Sequence, residues 1–471
     1  MPPTTGSIAP ELPDGLVAVV KRDCPTCEMV APVLGEIAEK GPPLTVFTQD
    51  DPAFPATVSP RFDADLSVSY HHHVETVPTL LRVEGGRELE RTEGWSRELW
   101  ERLSGVTRLG SGLPEHRPGC GSLSVDPEMA QLLRVRYEGA VLQARRVELG
   151  RLEDEVEAVY DRGWTDGLPV VIPTEARVLR MLDGTTRDPS EVVAVVPPDL
   201  VPATVEKVAI NAVMAGCKPE YLPVVLGVLE AALDPLFTMH GLLCTTHFSG
   251  PLVIINGPIA RSIGMNAGVN ALGQGNRANA TIGRALQLVV RNVGGGKPGV
   301  DGIDRAAFGN PGKYTFCFPE NEADLPEGWL PLSVEAGHAP GTNAVTLFGG
   351  HGVSAIVDQL SRRAEDLIEV FLRHVQLRAD PFFARRLDNL VLVIGPEHGR
   401  VFSESGWDKA RLRAELNERI FAGSKRGVPE PRWDAPAIVF AGGDAGLFSA
   451  LIEGWVSGPT GSQMTTWEVR P

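Results

Sequence analysis

A chain of 471 residues is long enough for two or three domains. Its 43% hydrophobic and 22% charged residues are those of a folded globular protein and exclude extended disorder. The formal charge of −16, from 44 basic and 60 acidic side chains, excludes nucleic acid and anionic membrane as partners, because both demand a basic stripe.

The opening Met1-Pro-Pro-Thr-Thr-Gly has no basic stretch leading into an apolar one, so the expectation is a cytoplasmic protein without a secretory signal. No apolar run reaches the about 18 residues that cross a bilayer. Six cysteines are too few for a disulfide-stapled scaffold, which leaves them as core residues or as chemistry.

Residues 16–20 (LVAVV) form a short apolar run that reads as a buried strand. Lys21-Arg22-Asp23 leads into Cys24-Pro25-Thr26-Cys27. Met29, Val30, Leu34 and Ile37 then recur at helical spacing, with a kink expected at Pro32. Residues 44–48 read as the next strand. His71-His72-His73 follows in a loop region; consecutive histidines on a strand would point to opposite faces, so a loop near the cysteines is expected rather than a metal site. Thr76-Val77-Pro78-Thr79 precedes a hairpin turned at Gly85-Gly86, and a short helix over 96–103 closes the segment.

This order resembles thioredoxin over residues 10–106. The matching features are the Cys24-Pro25-Thr26-Cys27 motif after a strand, Pro32 five residues past Cys27, and Val77-Pro78-Thr79 before the hairpin. The resemblance implies a cis peptide at Pro78, facing the two cysteines. Asp23 stands where the family has Trp, and Pro25-Thr26 where it has Gly-Pro, so the family's redox potential does not carry over. The residues themselves point the same way. Cys24 begins a helix, where free N–H groups and the helix dipole favour a thiolate. It is the expected nucleophile, and Cys27, one turn on, the thiol that resolves a mixed disulfide. One CxxC without a second pair makes a poor structural zinc site.

Residues 107–117 are rich in Gly, Ser and Pro and read as a boundary, followed by a bracing helix from Asp126-Pro127 to about Tyr160. The expected plan is a redox domain over 1–106, a linker and brace over 107–160, and a catalytic α/β domain over 161–471. Cys120, between two glycines, has the most accessible pattern of the remaining cysteines. Its surroundings, Pro118-Gly119-Cys120-Gly121-Ser122, are similar to the Cys/Sec-Gly-Ser-Cys motif of a bacterial selenoprotein group. Leu123 replaces the second cysteine, so no role is implied.

In the large remainder, strands are expected at 192–196, 252–255, 345–348, 390–394 and 437–441. Helices are expected at 204–215, 222–233, 279–292, 365–376, 409–418 and 447–455. The alternation predicts an α/β domain with mostly parallel strands and ligands at glycine-rich strand–helix turns, Gly349-Gly350-His351-Gly352 among them. The segments around 252–258 and 391–398 are alike enough to suggest a duplication. Segments 163–169, 208–217, 273–283 and 458–462 resemble an uncharacterised bacterial family, which supplies no substrate.

Four features carry candidate chemistry there. Gly273, Gly275 and Arg277 open a helix and suit an anion. Lys297, after three glycines, suits a loop that folds over an anionic substrate, although the P-loop spacing is absent. Glu397 and His398 could serve as general acid and base. His240, Cys244 and His247 have a spacing open to a metal ion, or to catalysis by Cys244 with His247. Cys217 follows a helix C-terminus and Cys317 lies among aromatics, so both read as inert. The expected function is thiol–disulfide exchange in which Cys24 and Cys27 trade electrons with Cys120 or Cys244 of a fused domain acting on a small molecule, served by a thiol reductant or reductase. The alternatives are a metal- or Cys/His-dependent lyase, transferase or hydrolase kept reduced by the first domain, and a redox-regulated binding protein. No cofactor is certain, and a metal ion is the one the pattern leaves open.

Overall fold

Leu16, Val17, Ala18, Val19 and Val20 are all fully buried, which places β1 (Gly15–Val20) in the middle of a sheet. The computed structural model describes residues 9–138, 142–150, 153–299, 302–376, 390–421, 436–455 and 462–470. The chain divides into two compact units, Met1–Val141 and Leu142–Pro471.

In the first unit β1 is followed by α1 (Pro25–Lys40), β2 (Leu44–Thr48), β3 (Arg61–Phe62), α2 (Ser67–His71), β4 (Thr76–Val77), β5 (Thr79–Glu84), β6 (Arg87–Glu93), β7 (Trp95–Ser96), α3 (Arg97–Ser104), β8 (His116–Arg117), β9 (Cys120–Gly121) and α4 (Pro127–Leu133). The sheet order is β3-β2-β1-β5-β6, with β1 parallel to β2 and antiparallel to β5. In α1, Cys27, Val30, Leu34 and Ile37 form one buried stripe at helical spacing. The helix runs on through Pro32. The Val77–Pro78 peptide is cis.

The segment expected as a linker from residue 107 instead folds back onto this unit. β8 pairs with β7 and β9 with β4, both antiparallel. Leu109 is fully buried, and Trp95 donates its indole N–H to the Pro114 carbonyl at 2.6 Å. Buried Gln49 reaches Ser122 Oγ at 2.6 Å, and Ser124 Oγ bonds the Val74 carbonyl at 2.7 Å. Small polar residues of the expected linker serve here as local hydrogen-bonding groups. The brace expected from 126 to about 160 is not one helix. It consists of α4, a π turn at Arg134–Glu138, coil over 142–150, and α5 (Glu155–Asp161), while 139–141 and 151–152 lie outside the described residues.

The second unit continues with α6 (Glu175–Leu182), β10 (Val192–Val196), β11 (Val201–Thr204), α7 (Val205–Ala215), α8 (Leu222–Ala232), α9 (Met239–Cys244), β12 (Gly250–Asn256), α10 (Pro258–Ser262), α11 (Arg277–Asn292), β13 (Cys317–Pro319), α12 (Leu332–Glu335) and β14 (Ala344–Val357). It closes with α13 (Ala364–Gln376), β15 (Leu390–Ile394), α14 (Pro396–Glu404), α15 (Lys409–Phe421), β16 (Ala437–Phe440), β17 (Phe448–Gly454) and β18 (Thr465–Glu468). Helices and strands alternate as expected, but the strands are not mostly parallel. The main sheet runs β13-β12-β14-β17-β15-β16, with β18 also on β14. Among its described residues only β12/β13 and β15/β16 are parallel. The four other pairings are antiparallel.

Two misread segments explain the difference. Gly349-Gly350-His351-Gly352 is not a turn, and β14 continues through it for 14 residues. Residues 447–455, expected as a helix, supply β17. β10 forms a separate antiparallel pair with β11. The sheet curls until its outer strands meet, with Asn321 N–H donating to the Phe440 carbonyl at 2.8 Å. β12 buries both faces: Val253 and Ile255 pack with α7, α8 and α11, while Leu252 and Ile254 pack with Phe318, Val391, Val393 and Val439 on the inner face. No described helix is long and apolar enough to cross a membrane.

Candidate functional site

Cys24 is the N-cap of α1, with φ −152° and ψ 109°, and Pro25 supplies the first helical residue. Its sulfur accepts the Cys27 N–H at 3.3 Å, in the way an N-cap side chain satisfies an orphan helix donor. As a thiol, Cys24 also donates to the Val77 carbonyl at 3.5 Å, next to Pro78. Val77 pairs with Cys120 across the short β4/β9 ladder. Cys120 comes near enough to Cys24 for each thiol to perturb the ionisation of the other. Three sulfurs therefore meet in the first unit, with Cys24 between Cys27 and Cys120.

Two details hold the third sulfur there. Thr26 Oγ1 donates to the Pro118 carbonyl at 2.8 Å, which ties the helix start to the strand. A Cβ on Gly119 would lie 2.4 Å from Thr76 Cγ2 and 2.7 Å from the Val77 oxygen, so only glycine allows so close an approach.

The electrostatics are asymmetric. The Cys24 thiol is pushed down to about 5, chiefly by the hydrogen bond from the Cys27 thiol. The Cys120 thiol and the N–H groups of Cys27 and Thr26 add to this against the opposing effect of burial. Burial pushes Cys27 up, reinforced by its bond to Cys24. Burial and the bond to Cys24 raise Cys120 as well. The arrangement favours a thiolate at Cys24 beside two thiols that keep their protons. All six cysteines are free. Cys24 and Cys27 are 1% and 0% exposed, whereas Cys120 is half-buried. Arg22 is turned to an ion pair with Asp51 at 2.9 Å.

His71 ends α2, His72 is its C-cap and His73 lies in the turn beyond. His71 packs on the Tyr137 ring at 4.7 Å, and His72 Nε2 bonds the Pro10 carbonyl at 2.7 Å.

In the second unit, exposed Cys244 ends α9, which also carries exposed His240. His247 lies beyond the helix, bonded to Ser249 Oγ at 3.2 Å and 4.3 Å from the ring of His351. Burial lowers the His247 pKa, and burial together with His247 lowers His351 to about 4. His351 Nδ1 is 3.8 Å from Glu453, and its buried Nε2 has no partner among the described residues. Sequence reading passed over His351 because its glycine neighbours looked like a turn. Among the described residues no three His, Cys, Asp or Glu side chains converge as a metal site. Cys217 and Cys317 are buried, and burial pushes Cys217 up to about 12 and Cys317 higher.

Of the expected anion-binding groups, Gly273, Gly275 and Arg277 are exposed and Lys297 is half-buried. Arg277 Nε donates to the Gly216 carbonyl at 2.9 Å, closing the C-terminus of α7. A Cβ on Gly273 would lie 2.1 Å from the Asn270 side chain, and Gly275 has φ +115°, so both glycines serve the turn itself. The triple glycine before Lys297 is a packed corner. Gly294 lies against the Pro197 carbonyl, where a Cβ would stand 2.3 Å away, and Gly296 N–H bonds the Val290 carbonyl at 3.0 Å. Glu397 accepts the Leu447 N–H. His398 is 1% exposed, with its ring nitrogens on Ser449 Oγ at 2.8 Å and the Asp358 carbonyl at 3.1 Å. Burial lowers its pKa, so it is a neutral cross-brace. A cavity of about 360 Å³ opens at the ends of β15 and β16, where glycine turns were expected to bind, lined by Asn270, Leu272, Gly395, Gly442, Gly443 and Ser449. Of the 458–462 segment, residues 458–461 lie outside the described residues.

Comparison with protein-family models, with curated proteins and with solved structures returned no match.

Proposed function

We propose that the chain is a thiol–disulfide oxidoreductase whose first unit is a thioredoxin-like redox module. The reading rests on the asymmetric dithiol: a capped Cys24 thiol pushed down to about 5 beside a buried Cys27 held protonated. Such a pair attacks a disulfide with one sulfur and releases the product with the other. The sheet order, the position of the motif after β1 and the cis Val77–Pro78 peptide support the same reading. The second unit is then the catalytic part acting on a small molecule, and Cys244, its one exposed thiol, is the candidate electron partner. The test is reduction of insulin disulfides by the full chain with dithiothreitol as reductant. Wild type should accelerate the reaction, and Cys24→Ser should fall to the background rate. Equal rates for the two chains would defeat the reading.

A second reading draws on the facing imidazoles of His247 and His351, both with pKa lowered by burial, one with a nitrogen that has no partner among the described residues. There Cys244 and the histidines carry non-redox chemistry, and the first unit keeps Cys244 reduced. Once a substrate is found, activity of Cys24→Ser under added dithiol separates the two.

A further inference from the structure

We infer that Cys120 is a third redox residue of this site, forming a disulfide with Cys24 that is an alternative to Cys24–Cys27. The inference rests on the thiol-exchange reading above. Its basis is placement. The β4/β9 ladder sets Cys120 opposite Val77, whose carbonyl receives the Cys24 thiol. Thr26 binds Pro118, and Gly119 is stripped of any side chain where the strand crosses Thr76 and Val77. Each contact brings Cys120 toward the same sulfur that Cys27 reaches from inside the helix. The two differ in access: Cys27 is fully buried, whereas Cys120 is half-buried. A mixed disulfide on Cys24 can therefore be resolved by Cys120 without exposing the helix interior.

The steps balance with a disulfide, RSSR′, as oxidant. The Cys24 thiolate attacks one sulfur, forms Cys24–S–S–R and expels R′S⁻, which takes the Cys120 proton. The Cys120 sulfur then attacks Cys24 Sγ, the Cys24–Cys120 bond forms, and RS⁻ leaves. Two electrons pass from the protein thiols to RSSR′. Attack by Cys27 on Cys24 Sγ afterwards gives Cys24–Cys27 and returns Cys120 as a free thiol, with no further electron transfer.

The test uses full-length Cys27→Ser and wild type with glutathione disulfide as the probe, acid quenching, alkylation and peptide mapping. Cys27→Ser should yield a Cys24–Cys120 disulfide and release two glutathiones per chain. Accumulation of a Cys24–glutathione adduct with Cys120 alkylated would overturn the inference while leaving exchange intact, provided wild type still closes Cys24–Cys27. If Cys24 fails to react in either chain, the exchange reading falls first and this inference with it. Should Cys27→Ser not fold, time-resolved quenching of wild type and Cys120→Ala replaces it. The glutathione adduct should persist at least tenfold longer without Cys120, and equal lifetimes would overturn the role.

Discussion

Cys24 shows how one side chain acquires its chemistry from its neighbours. Its thiol is held near 5 rather than the ordinary 9, so the folded state favours the thiolate. The stabilisation from this shift is complete above pH 9, diminishes as pH falls from 9 to 5, and is absent below 5. The melting temperature of reduced wild type, measured against Cys24→Ser, should therefore rise across that window. Cys27 is shifted the other way, which matters only above pH 9, where the unfolded thiol would ionise. Alkylation of Cys24 followed by peptide mapping should titrate near pH 5, and Cys120→Ala should move that midpoint upward by removing one thiol donor. Cys120→Ser, which keeps a hydroxyl donor, should move it less. His398 presents the contrasting case. With both ring nitrogens bonded and 1% exposure, His398→Ala should cost about 2–4 kcal/mol in denaturant melts and leave Cys24 alkylation unchanged.

The short β9 strand carries more consequence than its two residues suggest. Gly119→Ala would press a methyl group into Thr76 and the Val77 carbonyl, an overpacking worth about 1–3 kcal/mol. The expected result is a strand lifted off β4 and faster alkylation of Cys24 in the full chain; an unchanged rate would mean that the ladder does not guard the thiol. The sequence made α1 and β1 plain because their apolar periodicity and the CxxC motif coincide. It hid β9, since Pro118-Gly119-Cys120-Gly121 reads as linker composition, and only the approach to Val77 gives the glycine its purpose. It also hid β14 and β17. Glycines inside β14 look like a turn until its partner strands are known, and 447–455 is an apolar run short enough to fit either period. Glu397 and His398 were legible as a pair, but not their separate fates, which depend on Ser449, Asp358 and Leu447, distant in sequence.

At the scale of the whole molecule, the boundary at 141/142 changes the extent of the proposed redox module. Residues 1–141 expressed alone should keep the low Cys24 titration midpoint, whereas 1–106, which lacks Cys120 and the Trp95 partner at Pro114, should fold poorly and show a higher midpoint. In the second unit, Lys409 and Glu320 are 2.7 Å apart with side chains 1% and 0% exposed. Lys409→Met would strand that carboxylate and should cost about 3–5 kcal/mol, seen in Trp329 and Trp407 fluorescence melts, with Cys24 alkylation unaffected. The likeness of residues 252–258 and 391–398 acquires a spatial counterpart. Each is an inner strand with a parallel neighbour outside and an antiparallel one inside, followed by a Gly-Pro helix start.

The ladder between Thr76–Val77 and Cys120–Gly121 also makes the chain its own first competitor. A tethered thiol confronts Cys24 at an effective concentration on the order of millimolar or more. Under the proposed exchange chemistry, once a mixed disulfide forms on Cys24 an outside thiol must compete with this resident neighbour to resolve it.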